Sequence, residues 1–164
     1  MTTLSKRIEL TANIAIIAVA ILLGAVVAQR YFFQKDSKPP TIAVGSKVSL
    51  AGVDWSRNGK TLVVALQKGC HFCAESAPFY QRLAQIAPAK GIKLVAVLPQ
   101  PATEGREYLS TLAVPIADIR QSPLSALSVG GTPTLILVDD KGQVVASWVG
   151  KIPSDKESEV LARL

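Results

Sequence analysis

TLVVALQKGCHFC, residues Thr61 to Cys73, is an apolar β-branched run that breaks at Gly69 and delivers two cysteines three positions apart. A short continuous apolar run bounded by a turn signal has the length of a buried strand. Beyond Cys70 the period changes. Phe72, Phe79, Leu83 and Ile86 recur at seven, four and three, the stripe of an amphipathic helix that Pro78 should kink and that Pro88 and Gly91 should end. The stretch therefore predicts a strand that feeds a helix, with both cysteines at the junction.

The pattern extends outward from there. Lys93 to Leu98 reads as a second buried strand, followed by a turn at Pro99-Gln100-Pro101 and a helix over Thr103 to Leu112 that Gly105 weakens. Ser122-Pro123 opens a short helix that stops at Gly130-Gly131. Thr134 to Val138 and Val144 to Trp148 flank Asp139-Asp140-Lys141-Gly142, a hairpin signature. Ser154 and Glu157 form a capping box for a last helix carrying Val160, Leu161 and Leu164. On the N-terminal side, Lys47 to Leu50 is a candidate edge strand before a turn rich in Gly and Asp. A parallel strand–helix–strand half followed by an antiparallel hairpin predicts an α/β fold with a mixed central sheet and helices on both faces.

The first third is different. Leu10 to Ala28 is apolar except at Thr11 and Asn13, with Lys6 and Arg7 before it and Arg30, Lys35 and Lys38 after it. About 20 such residues in a helix match the hydrocarbon thickness of a bilayer. The expected organisation is a tail over 1–9, a transmembrane signal anchor over 10–33, a linker over 34–43 stiffened by Pro39-Pro40, and one domain over 44–164. The rival reading is a signal peptide cleaved after Val26-Val27-Ala28. Tyr31-Phe32-Phe33, with the look of an interfacial aromatic belt, favours the anchor. Basic residues at both ends leave orientation to other arguments. A short leading tail and a reactive cysteine pair both favour an extracytoplasmic domain, periplasmic or at the cell surface.

The formal charge is +6, but its lysines and arginines are scattered and do not alternate with aromatics. Nucleic-acid binding, which needs a concentrated basic footprint, is excluded on that ground.

The chain has two cysteines and one histidine. A structural disulfide would ordinarily close a longer loop. Tetrahedral zinc would want two further ligands beyond the cysteines, and His71 is the only histidine; haem attachment would want a histidine where Ala74 stands. A peroxiredoxin-type site would want a threonine in a proline-led loop, and Leu66-Gln67-Lys68-Gly69 supplies neither. Neither a metal nor a cofactor is expected. Thiol–disulfide exchange fits best: Cys70, at a helix N-terminus where free N–H groups favour a thiolate, attacks, and Cys73 one turn in resolves the mixed disulfide. His71 reads two ways. Protonated, it would favour the Cys70 thiolate and make the pair more oxidising; otherwise it is an exposed contact for partners.

Three features carry a family resemblance: Cys70-His71-Phe72-Cys73 after a buried strand, Pro78 five residues past the second cysteine, and Gly131-Thr132-Pro133-Thr134 before a hairpin. In that order they resemble the thioredoxin fold, and specifically the membrane-anchored thioredoxin-like oxidoreductases of the TlpA and ResA type. The resemblance covers Val44 to Leu164. It implies that Pro133 is a cis-proline facing the dithiol and that Thr132 presents its backbone to a bound substrate and tunes the cysteines. It implies protein thiols and disulfides as substrates and a membrane redox partner. The residues flanking the cysteines, His71, Phe72 and Glu75, belong to the site on this view. Departures are visible: Gly69 stands where thioredoxins have Trp, Val64 where they bury an acid, and Glu75 one residue before the usual TlpA-like position.

Two functions follow. The first is an extracytoplasmic thiol–disulfide oxidoreductase, with His71 and Val64 pointing toward oxidation and the resemblance toward reduction. The second is a copper chaperone that uses the same two thiols as soft ligands.

Overall fold

The computed structural model describes residues 2–33 and 42–164, with side chains described from 13 to 29 and from 42 onward. The chain divides into two compact units, Met1–Lys38 and Pro39–Leu164. The first contains a single helix, α1 (Thr2–Phe33, 32 residues). It takes in the residues expected to be a tail, from Thr2 onward. Its large aliphatics are open on every side, from Ile14 and Ile17 to Leu22, Leu23 and Val27. Among the described residues, no helix is long and apolar enough to cross a membrane. The linker expected over 34–43 falls almost wholly on 34–41, outside the described residues.

The second unit is built on a five-stranded sheet. Its elements are α2 (Trp55–Asn58), β1 (Thr61–Ala65), α3 (His71–Glu75), α4 (Ala77–Ala89), β2 (Lys93–Leu98) and α5 (Ala102–Thr111). They continue with β3 (Asp118–Gln121), a 3-10 turn (Leu124–Leu127), β4 (Thr134–Val138), β5 (Val144–Val149) and α6 (Ser154–Arg163). The strand order is β3-β2-β1-β4-β5. β1 pairs parallel to β2 and antiparallel to β4, so the strand that leads to the cysteines is central. All five of its residues are buried, because a central strand covered on both faces has no solvent side.

Alternation along β1 sorts the core. Leu62 and Val64 join Cys73, Tyr80, Leu83, Leu109 and Val160 on one face. Val63 and Ala65 join Val48, Leu50, Leu127 and Val129 on the other. The mixed sheet is as expected, but the helices are unevenly shared. α4, α5 and α6 lie on the cysteine face, while the opposite face is covered by the 42–58 segment and the 3-10 turn. Each fully buried aliphatic side chain contributes about 1.5–3 kcal/mol.

Several local expectations are corrected. Lys47 to Leu50 is no strand: it makes one isolated bridge, Lys47 to Gln143, and hangs on the β4–β5 hairpin through Val48 N–H to Gly142 O (2.9 Å). The kinked helix is two helices. Pro78 cannot donate to Ala74 O and its ring would crowd that carbonyl. The chain breaks at Ser76 (ψ −1°), which places Pro78 in the first turn of α4. Phe72 is thereby left off the α4 stripe and is 55% exposed. The capping box at Ser154 does not form: Pro153 is the N-cap, and Glu157 instead pairs with Arg82 of α4. β3 was not anticipated, since Asp118-Ile119-Arg120-Gln121 is an edge strand with one apolar residue.

Candidate active site

The site starts from a turn. Gly69 has φ +83°, a left-handed conformation that a residue with a Cβ adopts only with strain. That explains a glycine here in place of a bulky side chain. The turn closes with Cys70 N–H donating to Gln67 O (3.1 Å) and leaves Cys70 in extended conformation as the N-cap of α3. An N-cap side chain accepts from the first free N–H groups of its helix. Here the acceptor is sulfur: Cys73 N–H donates to Cys70 Sγ at 3.2 Å.

The two thiols are free and differ in exposure. Cys70 is half-buried and Cys73 fully buried. Burial opposes ionisation of Cys70, but interactions with Cys73 and Thr132 and the N–H groups of Cys73 and Phe72 outweigh it, and its pKa falls below the ordinary 9.0. Burial, and then the hydrogen bond to Cys70, push Cys73 up to about 12. Cys70 thus ionises more readily than an ordinary thiol and Cys73 less readily.

The opposite wall comes from the β4 end. The Thr132–Pro133 bond is cis, the geometry the resemblance implies. The Cys70 thiol donates to Thr132 O at 3.4 Å, which brings the two segments together across 62 positions. Thr134 Oγ1 donates to Gly131 O (2.7 Å) and Gly150 N–H donates to Pro133 O (2.7 Å), so the loop is pinned on both sides. Cys70, Cys73, Thr132 and Pro133 thus form one site.

Residues 34–164 match the family model described as Redoxin. The chain belongs to the redoxin family. With a dithiol at the start of a helix, this redoxin is a thioredoxin-like thiol–disulfide oxidoreductase. No curated protein matches it significantly. Among solved structures it is similar to a putative thiol:disulfide interchange protein DsbE from Chlorobium tepidum, with 25% identity and TM-score 0.56, over 77% of this chain and 93% of that one. It is also similar to a thiol:disulfide interchange protein from a Bacteroides species, at 20% identity and TM-score 0.58, over 73% of this chain and 88% of that one. StoA from Bacillus subtilis is 14% identical with TM-score 0.52, over 76% of this chain and 96% of that one. These last two likenesses speak to the fold.

The remaining expected residues of this redoxin surround Cys70. His71 and Phe72 are exposed beside it. His71 Nε2 lies 3.2 Å from Glu75 Oε1, while Lys151 Nζ lies 3.0 Å from Glu75 Oε2. Lys151 first, and His71 after it, lower the Glu75 pKa against a smaller cost of burial. Glu75 is therefore tied to its neighbours on the surface and does not enter the space below Cys73. Val64 is fully buried on the Cys73 face.

Sequence reading missed three contributors to the site. Lys151 arrives from the β5–α6 loop, and no local pattern marks it. Lys68 bonds Glu104 through its Nζ (3.2 Å) and Gln100 through its backbone N–H (3.3 Å), fixing the turn before Cys70 to α5. Tyr108 lies on α5 and packs against the cluster that contains Cys73. Among the described residues, no group of three or more His, Cys, Asp or Glu side chains is gathered to hold a metal ion.

Proposed function

We propose that this redoxin exchanges disulfides with protein cysteines outside the cytoplasm, tethered to the membrane through α1 and coupled there to a membrane redox partner. The observation that carries the chemistry is the asymmetry of the dithiol. Cys70 is reachable and has a depressed pKa; Cys73 is buried and protonated directly behind it.

In the reducing direction, the Cys70 thiolate attacks one sulfur of a client disulfide. A Cys70–client bond forms, the client S–S bond breaks, and its second sulfur leaves as a thiolate that takes a proton. Cys73 then loses its proton and attacks Cys70 Sγ. The Cys70–Cys73 bond forms, the mixed disulfide breaks, and the client leaves as a dithiol with two electrons gained. Oxidation is the same sequence reversed. Thr132, against Cys70 Sγ, is the position at which a client strand would dock, and exposed Phe72 offers an apolar contact next to the attacking sulfur.

The membrane part rests on the 32-residue helix α1, on large aliphatics exposed around its surface, and on the apolar run from Leu10 to Ala28. An extracytoplasmic location is supported by the dithiol itself, which has more use in an oxidising compartment.

The decisive experiment is a redox titration of the full chain in detergent, paired with Cys70→Ser. A midpoint near that of thioredoxin, ~−270 mV, assigns a reductase, and one near ~−120 mV an oxidant. If Cys70→Ser retains full exchange activity, the assignment of the nucleophile is wrong. Resistance of the chain to alkaline extraction from membranes tests the anchor, and its release into the soluble fraction removes it.

A further inference from the structure

The two walls of the site outrun the sheet that carries them. Pairing between β1 and β4 stops at Ala65 opposite Thr134. Beyond it Leu66 turns to the other neighbour, its N–H donating to Val97 O of β2 at 2.9 Å. The turn that carries Cys70 and the loop that carries Pro133 continue without a shared ladder. Among the described residues, two hydrogen-bonded side-chain links join residues 67–76 to residues 131–151. Cys70 Sγ donates to Thr132 O at 3.4 Å, and Lys151 Nζ donates to Glu75 Oε2 at 3.0 Å.

The first link cannot last through exchange. It uses the proton of the Cys70 thiol, and neither a thiolate nor a disulfide sulfur has a proton to donate. Once Cys70 ionises, a negative sulfur faces the lone pairs of Thr132 O and the contact turns repulsive. The second link has no such dependence, because an ammonium and a carboxylate pair whatever the oxidation state of the sulfurs. Glu75 is fixed from both sides, since His71 Nε2 lies 3.2 Å from its other oxygen. Lys151 is placed by its neighbour: Gly150, turned by a φ of +86°, donates its N–H to Pro133 O at 2.7 Å. Contacts therefore run in a ring from Cys70 along α3 to Glu75, across to Lys151, and through Gly150 back to Pro133 and Thr132. When the thiol bond opens, the ring stays joined at Glu75 and Lys151.

We infer that Lys151 is a positioning residue for exchange with protein clients. Paired with Glu75, it straps the Thr132–Pro133 loop to α3 and keeps the docking position in register with Cys70 once the thiol proton is gone. The inference rests on the exchange reading above. Lys151 acts through Glu75 and Gly150, and the atoms that react are those already described. Its effect falls on a client whose chain lies along Thr132. A small disulfide, too short to do so, reacts at Cys70 without help from the loop.

The test gives the full chain in detergent two disulfides, insulin and hydroxyethyl disulfide, with dithiothreitol regenerating the dithiol. The readout is the ratio of the two kcat/KM values, in which any change in the reactivity of Cys70 itself cancels. Glu75→Gln combined with Lys151→Met removes the strap and leaves the net charge beside the dithiol as it was. An exposed ion pair contributes modestly, so the ratio is expected to fall about threefold, through the KM for insulin. Lys151→Arg is expected to keep the parent ratio, because a guanidinium can pair with Glu75. The exchanged pair, Glu75→Lys with Lys151→Glu, is expected to restore it although each charge is reversed. A parent ratio in the neutral double variant overturns the inference. So does an exchanged pair that fails to restore the ratio, which would mean that Lys151 meets the client directly. If the parent does not act on insulin, the reading of protein disulfides as substrates fails and this inference falls with it.

Discussion

Cys73 donates its backbone N–H to the sulfur of Cys70 from 3.2 Å, so the second cysteine of the pair helps to ionise the first. The relation follows from where the helix begins. A cysteine at the N-cap has its sulfur where the first free N–H groups of the helix point, and the residue three positions on is the natural donor. A spacing of two residues between the cysteines therefore sets up both the activation and the later ring closure.

Alkylation should separate the two thiols. A small alkylating agent at pH 7 to 8 is expected to modify Cys70 alone, because its pKa lies below the ordinary 9.0 while Cys73 is held up to about 12. Peptide mapping by mass spectrometry checks it. Modification of Cys73 at a comparable rate would contradict the asymmetry.

Stability should respond to pH with a sign set by Cys73. Its folded pKa lies above the unfolded one, so its contribution is full below about pH 9 and is lost as pH rises toward 12. Cys70 has the opposite sign, contributing above 9.0 and losing that contribution as pH falls through its folded value. The melting temperature of the dithiol form minus that of the disulfide form isolates the two cysteines from every other group. That difference is expected to decline between pH 9 and 11.

Glu75→Gln removes the carboxylate shared by Lys151 and His71. Lys151 then acts on the Cys70 end of α3 without an opposing charge. The Cys70 pKa should fall further and the midpoint potential should become more oxidising, with little change in melting temperature because the ion pairs are exposed. Potential and alkylation-rate profiles of the variant check it. An unchanged potential would show that Glu75 does not reach the dithiol.

Gly105→Ala tests the approach of α5 to the sheet. Alanine favours a helix over glycine by about 1 kcal/mol, but the new Cβ would press on Ile119 at 3.1 Å and on Leu98 at 3.3 Å. Overpacking of this kind costs about 1–3 kcal/mol, so a net loss of about 1 kcal/mol is expected in urea unfolding. A gain in stability would mean that the neighbours give way freely.

Ser76→Ala tests the joint between α3 and α4. Its buried hydroxyl donates to Phe72 O at 2.8 Å, and the loss of that bond should cost about 1 kcal/mol. Phe72 and Cys73 lie on the loosened side, so the exchange rate should change along with the melting temperature.

What the sequence made legible is what is local or periodic. The apolar runs of β1, β2 and β4 and the hairpin turn at Gly142 stand out because burial on both faces demands continuous apolar strands. The two cysteines are neighbours in the chain, and their junction between strand and helix can be read directly. Pro133 faces them across 60 positions and was placed only by resemblance. Edge strand β3 gives no alternation to read, because it is four residues long and only Ile119 among them is apolar. The local pattern puts Glu157 in a cap, but Arg82, 75 positions away, is its partner in the fold. Lys151 reaches Glu75 across 76 positions, and nothing short-range announces such a pair.

Of the two thiols of this redoxin, only that of Cys70 meets the outside. Cys73 is sealed beneath Cys70, and β1, hydrogen-bonded along both edges, holds the pair in place. Any exchange partner must therefore reach the pair at Cys70, and two partners would have to take turns there. Turnover is ping-pong by construction, and an excess of either partner inhibits the other.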